Sequence, residues 1–363
     1  MKVLIVFNHP APYKIRLFNE LASFFDLTVI FERKAASDRV PLFYSNDPIR
    51  FNVQHIPGIC LGKENHLSVA VIREIKKHPY DLIIMNGYST LTEMLAIRYM
   101  RRKKIPYALY VNGGIIRKES KIKFRFKKSL IEKAFLYFSP CEEVDEYLMH
   151  YGARSSAIRH YPYSTVFERE IADFSNLKNE NVRRKESLGI PDKTVFVSSG
   201  QFIERKNNLE LLEIWKKVPE NKHLFLIGSG KQAKFYQDFV KNNGLKNVEI
   251  KSYMKRSELL DFYRGCDAFV TLSKEDIYGH MINEALSQGL PVISSDKVVS
   301  ARHLIKQNEN GYLVNYTDHD SVLEAIEKIG TNDFSLEAIK TAQQNTIELM
   351  VAAHVKIMEE KYE

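Results

Sequence analysis

Residues 274–296 read KEDIYGHMINEALSQGLPVISSD. Two carboxylates, Asp276 and Glu284, lie eight positions apart with Gly279 between them. Eight helical steps leave two side chains about 80° apart, so they do not share one face of a continuous helix. The stretch instead predicts a loop carrying Asp276, a turn at Gly279 and a helix carrying Glu284. After Gly-Leu-Pro it predicts a short buried strand, Pro-Val-Ile-Ser-Ser. All three positions then face one ligand lying across the helix N-terminus. A helix feeding a strand in this way belongs to a parallel sheet with crossover helices, where ligands lie beyond the carboxyl ends of the strands.

The same alternation runs along the whole chain. Strand-like runs in the first half are KVLIVF, LTVIF, DLIIMN and YALYVN, and in the second VFVSS, HLFLIG, VEIKS, AFVTL and PVISS. Helix-patterned segments such as YKIRLFNELASFF, STLTEMLAIRYMRRK, NNLELLEIWKKV and SELLDFYRG separate them. This is the pattern of α/β domains. At 363 residues, 44% hydrophobic and 27% charged, the chain has the composition of a globular protein and the length for two cores. The least hydrophobic region, 165–193, precedes a fresh strand, TVFVSSG. The expected organisation is a first doubly wound domain over 1–165 and a second over 166–345. A C-terminal helix, 346–363, is then able to cross back to the first domain. The two Rossmann-like halves would face each other across a cleft.

The opening MKVLIVFNHP has an apolar run of only Val3 to Phe7 before Asn8, His9 and Pro10, too short for a signal peptide, and reads as a buried strand. No apolar run approaches the length of a bilayer span. Cys60, Cys141 and Cys266 lie far apart without CxxC or Cys-His spacing, which disfavours a structural zinc and fits a reducing cytoplasm. Charge is uneven: residues 1–165 hold 26 Lys and Arg against 15 Asp and Glu, the remainder 27 against 30. A basic half suggests that one domain meets something anionic, with nucleic acid, acidic lipid and phosphorylated substrate all open at this point.

Polar features of the second half fall at expected strand ends. In SSGQFIERKNN, Gly200 closes a strand and Arg205 and Lys206 precede the next helix; IGSGK, with Gly228, is another strand–glycine–helix junction. Glycines admit a ligand to the backbone, cations neutralise phosphate and carboxylates hold sugar hydroxyls. Taken singly each has a plainer reading: a turn glycine, a solvated helix start, a loop cap at Asp276, a surface Glu284.

Taken together, DIYGHMINEALSQGLPVISSD resembles the signature of the glycosyltransferase group 1 family with the GT-B fold. GQFIERKN resembles the same family's phosphate loop, and LIGSGK, VEIKSYMKRSELLDFYRGCDAFVTLS and ENGYLV follow in its order. The resemblance covers 194–330. In the first half it rests on element order and on NHPAPYKIRLFNELA, similar to a subgroup with Pro12 and Tyr13 where others carry a glycine pair.

The resemblance implies a retaining, metal-independent hexosyltransferase that uses a nucleotide-diphosphate sugar, UDP-linked, and no cofactor. Glu284 would bind the ribose hydroxyls, Lys206 the diphosphate, and Asp276 would lie by the transferred sugar. Gly200, Gln201, Arg205, Gly228, Tyr278, Gly279 and His280 would complete the donor site. Asp276 stands where the family has Glu, Gln201 where it has Arg, and Asn112, in YVNGG, near where it often has a catalytic His. Acceptors implied are a glycan, lipid-linked or protein, in bacterial surface polysaccharide or glycoconjugate assembly. The rival reading is a non-catalytic GT-B partner that binds a glycan or a partner glycosyltransferase, and donor turnover separates the two.

A literal DxD, Asp318-His319-Asp320, reads as a helix cap before the apolar spacing of Val322, Ile326 and Ile329, so no metal site is expected. RYMRRKK (98–104) ends a helix, where cations suit the dipole. RKESKIKFRFKKSLIEK (117–133) carries eight cations and two acids interleaved with Ile122, Phe124 and Phe126. It reads either as a solvated helix or as a patch for an anionic membrane surface, placing the protein in the cytoplasm on the inner face of the plasma membrane. No base-reading helix or aromatic stacking motif accompanies the charge, which disfavours nucleic acid.

Overall fold

The run KVLIVF forms β1 (Lys2–Phe7), exposed only at its first residue. Strands buried on both faces are apolar throughout because crossover helices cover each side of a parallel sheet. Around β1 the first unit builds β2 (Asp26–Phe31), β3 (Asn52–His55), a hairpin of β4 (Ile59–Leu61) and β5 (Asn65–Leu67), then β6 (Leu82–Met85), β7 (Ala108–Tyr110), β8 (Leu136–Ser139) and β9 (Ile158–His160). Seven of these make one parallel sheet in the order β3-β2-β1-β6-β7-β8-β9. The strand order reverses between β1 and β6.

The second unit repeats the plan with β10 (Thr194–Gln201), β11 (Lys222–Ser229), β12 (Val248–Lys251), β13 (Ala268–Thr271), β14 (Val292–Ser295) and β15 (Gly311–Val314). All are parallel, in the order β12-β11-β10-β13-β14-β15. Its reversal lies between β10 and β13. Apolar clusters cover both faces of the sheet, one around Trp215, Leu226 and Ile326, the other around Phe225, Tyr263 and Ile282.

The computed structural model describes residues 1–36, 41–44, 48–61, 65–329 and 333–360. The units comprise Met1–Tyr163 with Ile347–Glu363, and Ser164–Thr346. The polar stretch 165–193 is therefore part of the second unit. It forms two short turns and the helix Leu177–Leu188, with Lys185 Nζ 2.9 Å from Asp267 and Ala172 N bonded to Ser287 O. The helix Ile347–Glu359 packs on the helix Pro12–Leu21 of the first unit.

Local chemistry sets the helix ends. Pro12 opens its helix at a position with no intrahelical N–H bond to lose. Thr90 and Glu93 cap the helix Leu91–Lys103 reciprocally, and Arg101, Arg102 and Lys103 fill its last turn. Asp318 caps the helix His319–Ile329, its Oδ1 accepting from Ser321 N at 3.2 Å. Among the described residues no helix is long and apolar enough to cross a membrane.

Candidate functional site

The switch point of the second sheet gathers the polar residues of the opening stretch. The loop after β10 carries Arg205 and Lys206 in the turn Glu204–Lys206, just before the helix Asn208–Trp215. The loop after β13 carries Asp276, clamped to the end of β14: Asp276 N donates to Lys297 O and Val299 N to Asp276 O. Lys206 Nζ and Asp276 Oδ2 meet at 2.5 Å, and Arg205 Nη1 lies 3.5 Å from Asp276 Oδ1 while donating to Glu275 O at 2.8 Å. Burial pushes the Asp276 carboxyl up, but the Lys206 ammonium and then Arg205 outweigh it and hold it below the ordinary aspartate value. Two charges taken out of water are tolerated far better together than apart.

The loop turns into the site helix at Gly279, where φ is +96° and a Cβ would lie 2.5 Å from Val298 Cγ1. Only glycine fits that corner. Tyr278, buried, has its ring 5.0 Å from that of His280, and Ser300 Oγ donates to Gly279 O at 2.8 Å. The helix Met281–Ser287 then presents Glu284. Asp276, Gly279 and Glu284 thus fall in loop, turn and helix, in the expected order.

Glu284 Oε1 accepts from Thr165 Oγ1 at 2.9 Å and from Arg256 Nε at 3.2 Å, and Arg256 Nη1 reaches Glu170 Oε1 at 2.7 Å. Thr165, Glu170 and Arg256 were not expected from sequence. They come from distant segments and no local spacing marks them.

Gly200 and Gly228 face each other in register on β10 and β11. A Cβ on Gly228 would lie 1.9 Å from Gly200 O, so close strand approach alone requires glycine there. Gln201 ends β10 opposite Ser229. A Cβ on Gly200 would touch the Lys206 stem at 3.5 Å, so the lysine lies along this backbone.

In the first unit, Pro12 and Tyr13 open a helix whose next residue, Lys14, is fully buried. Its Nζ lies 3.2 Å from Asn112 Oδ1 and 4.1 and 4.5 Å from the ring centres of Tyr110 and Tyr163. Asn112 also accepts from Tyr161 OH at 3.1 Å and donates to Asn86 Oδ1 at 3.1 Å. Burial lowers the Lys14 pKa strongly. Lys14 falls between Ala11 and Phe18 on the apolar stripe of its helix, a signal that the sequence did carry.

Two doubly wound parallel units, each reversing strand order at its centre, define the GT-B class of folds. Residues 180–346 match the family Glycosyl transferases group 1. Sucrose-phosphate synthase of Thermosynechococcus elongatus superposes with a TM-score of 0.79 at 15% identity over 100% of this chain and 99% of the other. HepE of Anabaena, solved in complex with UDP, gives 0.77 at 15% identity over 99% of each. At that identity the likeness is one of fold. The lipopolysaccharide core biosynthesis glycosyltransferase LpsE of Rhizobium meliloti is 26% identical over 162 residues, 44% of this chain and 47% of that one. The matched region spans less than half the length of the curated relatives.

Proposed function

We propose that the chain is a retaining glycosyltransferase that moves a hexose from a UDP-linked donor to a glycan, lipid-linked or protein acceptor in bacterial surface polysaccharide or glycoconjugate assembly. The observation that carries this is the largely buried ion pair of Lys206 and Asp276 at the switch point of a sheet in the matched segment, with Glu284 in the first turn of the helix that follows the same loop. The relative LpsE, named for lipopolysaccharide core biosynthesis, and HepE, solved with UDP, support the substrate class.

In this reading Glu284 accepts from the ribose hydroxyls, and Lys206 meets the diphosphate with Arg205 beside it. Asp276, Tyr278, and the backbone at Gly279 and His280 border the transferred sugar. The bond from the anomeric carbon to the phosphate oxygen breaks, and its electron pair remains on the departing diphosphate. Charge grows there in the transition state, where a fixed ammonium stabilises it most. The acceptor hydroxyl oxygen bonds to the same face of the sugar, and its proton passes to the departing phosphate oxygen. The first unit, with Asn112, Pro12 and Tyr13, takes the acceptor. No metal enters, and Asp318 serves only as a cap. The basic helix of the first unit holds the protein to the inner leaflet.

The test is a panel of UDP-, GDP- and ADP-linked hexoses scored for protection against thermal unfolding and for release of nucleoside diphosphate, with and without a chelator. A UDP-hexose should protect and turn over in both conditions. Turnover abolished by the chelator and rescued by manganese or magnesium would overturn the metal-independent mechanism. Protection without any turnover would leave the non-catalytic partner.

A further inference from the structure

We propose that Arg256 is the positioning residue of the donor site: held by Glu170, it fixes Glu284 so that only Oε2 is offered to the ribose. The inference rests on the reading of Glu284 as the ribose carboxylate. Three elements converge on this guanidinium. Glu170 ends the turn Glu168–Glu170 and is fixed by its own cap, Phe167 N donating to Oε2 at 2.9 Å. Arg256 begins the helix Arg256–Tyr263, which is capped by Glu258 through Lys255 N at 3.0 Å. Glu284 sits in the first turn of its short helix.

Arg256 spends Nη1 on Glu170 and Nε on Glu284, while its buried Nη2 has no acceptor among the described residues. The two carboxylates, not a full set of bonds, dictate where the guanidinium lies. A rigid fork spanning two carboxylates is something arginine supplies and lysine does not. With Thr165 also on Oε1, that oxygen already accepts two bonds, while Oε2 makes none among the described residues. A free glutamate on a helix surface samples several rotamers, and binding must then order it. Here the ordering is done before the ligand arrives, which favours affinity without new contacts. Both ribose hydroxyls must share Oε2, which makes recognition sensitive to its placement.

Calorimetry with UDP and 2′-deoxy-UDP tests this, with the GDP and ADP pairs run alongside so that base preference does not decide the result. The wild type should favour the ribonucleotide. Arg256→Ala should weaken its binding by about tenfold. The 2′-deoxy form should bind nearly as before, so that the preference collapses. A merely structural loss would weaken both alike. Arg256→Lys should keep part of the preference, Glu170→Gln should lower it, and Arg256→Ala with Glu284→Ala should be no worse than Glu284→Ala. If Glu284→Ala loses the preference and Arg256→Ala keeps it, the positioning role is wrong and the donor site stands. If Glu284→Ala keeps it, or the wild type shows none, the ribose reading falls first. Should Arg256→Ala fail to fold, unchanged preference in both Arg256→Lys and Glu170→Gln overturns the proposal.

Discussion

Glu284 carries the first prediction at the scale of single residues. Losing one charged hydrogen-bonding partner costs about 1.5–3 kcal/mol, roughly tenfold to a hundredfold in affinity. Glu284→Ala should weaken binding of UDP and of the UDP-sugar alike by that factor in titration calorimetry, and unchanged affinity in a folded variant would sink the assignment. Lys206 should behave differently if, as proposed, its ammonium meets charge that peaks in the transition state. Lys206→Ala should lower kcat by more than it raises the donor KM. It should also lower the unfolding temperature, because Asp276 then keeps a buried carboxylate without its main cation. A loss confined to KM would remove the transition-state role. These residues were legible because each falls in a short motif, Lys206 in GQFIERKN and Glu284 in DIYGHMINEALSQGLPVISSD. Arg256 and Thr165 were not, since they reach Glu284 across 28 and 119 positions of sequence. Side-chain partners at such separations leave no periodicity to read.

Among the elements, the central strands were legible and the margins were not. β1, β2, β6, β10 and β11 are apolar runs because both faces are covered. β3 and β9 are short edge strands with polar residues and no fully buried one, so the hydrophobic pattern that marks a strand is missing. The capping box of the helix Leu91–Lys103 hides a second feature, a buried carboxylate pair at the end of β2. Glu32 accepts from Thr90 Oγ1 at 2.8 Å and Glu93 from Ser89 N at 2.7 Å, with His66 Nδ1 3.6 Å from Glu32. Burial first, then the Glu93 charge, pushes Glu32 up to about 8, and burial pushes Glu93 up to about 7. Burial and then Arg33 lower the His66 pKa, so it brings no compensating charge near neutral pH. A carboxyl with a raised folded pKa binds a proton that the unfolded chain has released. Its contribution is therefore present below the ordinary glutamate value of 4.5 and lost as pH rises through the folded values. Hydrogen exchange of β1 and β6 amides should show the first unit losing stability from about pH 5 to about pH 8. Glu32→Gln should flatten that fall and raise protection at pH 8. A wild-type profile already flat over this range would mean that the pair does not share a proton. Trp215 fluorescence is the wrong probe, since the single tryptophan lies in the second unit.

Across the whole molecule the charge divides with the sequence, 26 cations against 15 acids in residues 1–165 and 27 against 30 beyond. Its densest part is the helix Lys121–Ile131, and the structure corrects the expected surface there. Phe124 packs on His150 and Tyr151, at 5.2 and 5.5 Å between ring centres, and Phe126 lies under Arg98 at 5.1 Å. Neither aromatic is offered to a bilayer. Lys127 is also withdrawn, bonded to Glu119 at 2.8 Å and Tyr151 at 3.1 Å. What remains outward is Lys121, Lys123, Arg125 and Lys128 around Ile122, which is 82% exposed. Each outward cation contributes about 1 kcal/mol at an anionic surface, and that falls away within a Debye length of about 8 Å at physiological salt. One isoleucine adds little. Binding should therefore be reversible and electrostatic. The protein should sediment with vesicles containing anionic lipid and not with zwitterionic ones, and salt should release it. Reversal of Lys121, Lys123, Arg125 and Lys128 to Glu should abolish sedimentation, while Ile122→Ser should reduce it slightly. UDP affinity, which the proposed function assigns to the second unit, should stay unchanged in the reversed variant. Vesicle binding that ignores lipid charge or survives the reversal would leave this helix a solvated face, and the membrane-borne acceptor would lose its support.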